Sequence, residues 1–112
     1  LIQKECNALG VQARFYQSNH EGDLVDAIQA ARLDCDGIVL NPGAYTHTSI
    51  AILDALKAVA LPAAEVHITD INQREEFRKV SYAGMACQAH FIGQGLAGYL
   101  NAVRWLAENY SK

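Results

Sequence analysis

Apolar positions along the chain alternate between helical spacing and short continuous runs. Leu1, Ile2, Cys6 and Leu9 recur at helical intervals, and Gly10 stands where a helix closes in a left-handed cap. Residues 11–16 predict a strand. Ser18 and Glu21 have capping-box spacing, and Leu24, Val25, Ile28 and Leu33 form the apolar stripe of the helix that follows. Residues 37–40 are continuously apolar, as in a strand buried on both faces. A loop over 41–47 then leads into a predicted helix over 48–59, closed at Pro62. Residues 63–68 predict another strand, and after a polar stretch come a short strand over 89–92 and a helix over 96–110.

Strands alternating with helices predict an α/β fold, a parallel sheet between two helical layers, in one domain over residues 1–112. A doubly wound sheet ordinarily opens with a strand, whereas this chain opens with a helix. In the flavodoxin-like order 2-1-3-4-5 the first strand lies inside the sheet, and two strands would have open edges without it. The expectation is therefore that the first strand is missing, with about thirty residues (a strand and a loop) belonging before Leu1.

The composition bears on the choice of partner. A net charge of -3 argues against nucleic acid or an anionic membrane surface as the main partner. No apolar run approaches the roughly eighteen residues of a membrane span, and there is no basic-then-apolar leader. Cys6, Cys35 and Cys87 are far apart with no C-x-x-C pair, so neither a disulfide framework nor a zinc site is expected. They read as small hydrophobes in a reduced cytoplasm.

Chemistry in open α/β sheets gathers beyond the carboxyl ends of the strands. Asn41 and His47 follow one such end, Glu65, His67, Ile68 and Thr69 close another, and Arg74 and Arg78 lie just beyond. This set suits a small, oxygen-rich anion. Period-two alternation puts Glu65 and His67 on one face, where a carboxylate can orient the ring and favour the imidazolium that a general acid needs. The alternative is a structural histidine. His47 either serves the site or caps the following helix. Arg78 either clamps a carboxylate or makes a surface ion pair with a neighbouring acid. Asp54 faces solvent by default, and His20 and His90, without an obvious partner, read as structural or surface residues. The G-x-G-x-x-G of residues 93–98 sits before the last helix, with no room for a further strand and acid. It reads as a tight turn with close helix–strand packing, not a dinucleotide site.

Asn-Pro-Gly-Ala-Tyr-Thr-His-Thr-Ser at 41–49 resembles the signature loop of type II dehydroquinases. Gln-Ser-Asn-His-Glu-Gly at 17–22, Glu-Val-His-Ile at 65–68, Arg-Glu-Glu-Phe-Arg at 74–78 with Ser81 and Tyr82, and the glycine-rich turn at 93–99 are similar to that family's blocks, in the same order. The resemblance implies a flavodoxin-like subunit built as trimers into a homo-oligomeric dodecamer, without metal or organic cofactor. It also implies reversible dehydration of 3-dehydroquinate to 3-dehydroshikimate through an enolate.

His67 would be the general acid, Asn41, His47 and Arg78 would hold the substrate with the backbone of Ile68 and Thr69, and Asp54 would reach a neighbouring subunit's site. The family's tyrosine base and lid arginine belong to the N-terminal stretch, and none of Tyr16, Tyr45, Tyr82, Tyr99 or Tyr110 matches that motif. No base is assigned, and the chain alone is expected to be inactive. The competing readings are a non-catalytic flavodoxin-like binding module and a degenerate dehydroquinase-like structural subunit.

Overall fold

The computed structural model describes residues 2–70, 75–76 and 80–110. Helix α1 (Ile2–Leu9) buries Cys6 and ends where Gly10 turns into the left-handed region at φ 71°. It packs on the last helix, α4 (Ala97–Tyr110), and Arg104 of α4 donates to Glu5 at 2.8 Å.

Residues 11–16, expected as a strand, join no sheet, and Phe15 and Tyr16 are exposed. Alternation of side chains is not enough for a strand, because its backbone N–H and C=O groups need a ladder partner. None of the described residues supplies one. Helix α2 (Glu21–Asp34) has His20, not Ser18, at its N-cap. Ser18 instead donates to Asp23 at 2.8 Å and accepts from the His20 amide at 3.0 Å. Leu24, Val25 and Ile28 face the core as expected, but Leu33 is 79% exposed and Ala31 takes the buried position. Three residues beyond Ile28 the helix returns to the same face, whereas five beyond lies well around it.

The strands are β1 (Ile38–Leu40), β2 (Ala63–His67) and β3 (Ala89–Ile92), parallel and in the order β1-β2-β3. Leu40 pairs with Glu65, Glu65 with His90 and His67 with Ile92. Between β1 and β2, helix α3 (Ile50–Val59) starts two residues later than the pattern suggests, because the Ser49 side chain caps it by accepting from the Ile52 amide at 3.0 Å. It stops at Ala60, which is left-handed at φ 56°, before Pro62 is reached.

The two faces of the sheet are sorted by the period of two along each strand. Ala63 and Leu40 pack with Ile28 of α2 and with Ile52, Ala55 and Leu56 of α3. Ala64 and Val66 pack with Ala102, Tyr99 and Trp105 of α4. This is the expected α/β arrangement, with helices on both faces of a parallel sheet. No helix among the described residues is long and apolar enough to cross a membrane.

Candidate functional site

Alternation along β2 turns Ala63, Glu65 and His67 toward the α3 side. Both polar side chains are nevertheless buried, Glu65 at 2% exposure and His67 at 5%. Burial of a carboxylate is costly unless its oxygens are satisfied. Here Oε2 accepts from His67 Nε2 at 2.9 Å and from the Ser81 hydroxyl at 2.7 Å, while Oε1 lies 2.5 Å from His90 Nδ1. Ser81 in turn accepts from the Gly84 amide at 2.9 Å, which fixes its hydroxyl proton on Glu65.

Burial, the largest single influence, works to neutralise Glu65. Hydrogen bonds from His67, Ser81 and His90, with the charge of His67, outweigh it and hold the carboxyl at about 2. Glu65 is thus an anion at any pH near neutrality. It can support a protonated His67.

The loop after β1 is pinned at several points. Asn41 Nδ2 donates to the Tyr99 hydroxyl at 2.9 Å, and Asn41 Oδ1 accepts from the Gly43 amide at 3.1 Å. Residues Gly43–His47 form a 3-10 turn, tied down by the Tyr45 hydroxyl on the Asn19 carbonyl and by the Tyr82 amide on the Thr46 carbonyl. His47 Nδ1 lies 2.8 Å from the Val80 carbonyl, which can only accept, so Nδ1 carries a proton. His47 does not cap α3; Ser49 does. Leu40 pairs with Glu65, so Asn41 leaves β1 at the same carboxyl edge where His67 closes β2.

Ile68 and Thr69 are exposed just past β2, and the Gly95 amide donates to the Ile68 carbonyl at 3.0 Å. The glycine-rich turn serves packing. Gly93 and Gly95 have φ of 74° and 61°, and a methyl at Gly98 would sit 3.2 Å from Val66 Cγ1 of β2. Asp54 is exposed on α3. Arg78 and Arg74 lie outside the described residues.

Two members of the Glu65 cluster escaped the sequence reading. His90, read as lacking a partner, stands directly across the ladder from Glu65. Ser81 reaches the same carboxylate from the loop that leads to β3. The strand register brings His90 to Glu65, and the fold of the loop before β3 brings Ser81 there. Alternation within β3 does place His90 on the opposite face from Phe91, which packs toward α4, and that was the available signal.

Comparison with known proteins agrees with this framework. The family model described as dehydroquinase class II matches residues 1–107. The chain is 49% identical over 96 residues to 3-dehydroquinate dehydratase of Bacillus pumilus, covering 86% of this chain and 65% of that protein. It is 50% identical over 103 residues to catabolic 3-dehydroquinase of Aspergillus oryzae, covering 92% of this chain and 67% of that protein. The chain thus spans about two thirds of the length of these curated relatives. The crystal structure of type II dehydroquinase from Butyrivibrio crossotus superposes with a TM-score of 0.91 at 48% identity, over 94% of this chain and 74% of that one. The chain belongs to the class II dehydroquinase family.

Proposed function

We propose that the protein takes part in the reversible dehydration of 3-dehydroquinate to 3-dehydroshikimate, a hydro-lyase step of the shikimate pathway, and that His67 is its general acid. The observation that carries this reading is the buried Glu65–His67 pair at the carboxyl edge of the sheet. A base removes the proton beside the ketone to give an enolate. The β-hydroxyl then departs as water, taking a proton from His67 as its C–O bond breaks. His67 Nε2 is engaged by Glu65, so Nδ1 is the ring atom that delivers this proton.

Asn41, His47 and Arg78 hold the hydroxyl and carboxylate groups of the substrate, with backbone groups of Ile68 and Thr69 beside them. The base and a lid arginine come from the N-terminal stretch that the family resemblance implies. We further infer a dodecamer of trimers in which Asp54, exposed on α3, faces a neighbouring subunit's site, and a cytoplasmic location, in keeping with the free thiols of Cys6, Cys35 and Cys87.

The test is an ultraviolet assay for the conjugated ketone with 3-dehydroquinate. It is run on the chain alone and on the chain joined to the part of the Bacillus pumilus relative outside the match. The chain alone should give no product. The joined protein should turn over, and His67→Asn should lower its kcat by about a hundredfold or more, the usual range for a lost acid. Turnover indifferent to that substitution would remove His67 from the role. A joined protein without turnover would favour the degenerate subunit.

A further inference from the structure

His67 and His90 approach one carboxylate from opposite ends. An ionised carboxylate can only accept, so His67 donates through Nε2 to Oε2 and His90 through Nδ1 to Oε1. The two rings differ in access. The His67 side chain is 6% exposed, while that of His90 is 43% exposed and open to solvent.

We propose that His90 is a positioning residue for His67, holding the second oxygen of Glu65 and sharing that carboxylate's single negative charge with the buried ring. A charged His90 leaves less of that charge to stabilise a proton on His67, and adds a like charge nearby. A neutral His90 leaves more of it, so the state of each ring bears on the other through the shared carboxylate. The effect on turnover rests on the dehydratase reading above, whereas the effect on the His67 ring does not.

Among the described residues, the surroundings keep this coupling simple. Around Glu65 stand His67 on β2, His90 on β3, Ser81 in the connecting loop and Cys87 after the 3-10 turn Ala83–Ala86. Burial first, and the charge of Glu65 second, push the Cys87 thiol up to about 12, so it stays neutral. Glu65, held at about 2, stays charged. Asp70 packs against Gly93 beyond the strand ends.

The experiment follows the ring protons of both histidines by NMR between about pH 5 and pH 9, in the unmodified chain and in His90→Gln and His90→Leu. In the unmodified chain the His67 signal should show a second inflection at the midpoint of His90. In both variants the His67 midpoint should rise by about half a unit, roughly a threefold change in protonation ratio. The rise should be larger for leucine than for glutamine, which keeps an N–H donor for Oε1. Unchanged or lowered midpoints, or a His67 signal blind to His90, would overturn the assignment. Should neither variant fold, the coupling in the unmodified chain decides alone. In the joined protein, the pH profile of turnover should move with the His67 ring. A ring that responds without any turnover would sink the dehydratase reading and leave the role of His90 standing.

Discussion

The backbone of Gly84 lies against the carboxylate of Glu65, so close that a methyl group there would overlap Oε1 and crowd Ser81 Oγ at 2.8 Å. Glu65 is buried and tied at both oxygens, so its side chain cannot simply swing aside. Gly84→Ala should therefore destabilise the protein by about 1–3 kcal/mol, the usual cost of overpacking a filled interior. It should also pull Ser81 and Glu65 out of register with His67. Urea unfolding checks the first effect. Stability equal to that of the parent would mean the carboxylate has room to move.

Acid should expose the same carboxylate. In the unfolded chain Glu65 takes up a proton near its ordinary value of 4.5, and in the folded protein only near 2. Between those values the unfolded state binds more protons, so stability is full above the window and falls as the pH drops through it. The contribution is on the order of 3 kcal/mol. Glu65→Gln removes this titration. Its urea midpoint should be lower at neutral pH yet decline less steeply between pH 4.5 and 2. Parallel slopes for variant and parent would show that Glu65 has no such depressed value.

Cys87 gives an independent reading of the environment around Glu65. Its thiol donates to the Ala83 carbonyl at 3.3 Å and is pushed from 9.0 to about 12, mainly by burial. The thiolate is the reactive form, so at pH 8 the native thiol should alkylate more slowly than in the unfolded chain, by on the order of a thousandfold. Mass spectrometry of iodoacetamide-treated protein, with Cys87 resolved by its peptide, makes the comparison. Labelling as fast as in urea would contradict a buried thiol beside an anion.

The sequence made legible what depends on near neighbours. Alternation along β2 placed Glu65 and His67 on one face, and the two do meet at 2.9 Å. The pattern located the three strands of the sheet among the described residues. What failed involved competition or distant partners. Ser18 had the spacing of a cap, but its hydroxyl found Asp23 and the helix began after His20. Leu33 looked like part of a stripe that Ala31 fills. Residues 11–16 carry a strand's pattern but no described strand pairs with them. His90 looked solitary because its partner lies 25 positions away, across a ladder whose register no local spacing encodes.

The claim on which the rest depends is that the strand ends gather one site for 3-dehydroquinate around His67. Amide and histidine-ring NMR spectra of the labelled chain, titrated with 3-dehydroquinate, test it most directly. Shifts should concentrate at Asn41, His47, His67, Ile68, Thr69 and Arg78, with weak affinity and loss of the effect in His67→Asn. Shifts confined to the apolar groove lined by Ile2, Phe15 and Leu96, or none up to about millimolar substrate, the upper range of ordinary substrate affinities, would contradict it.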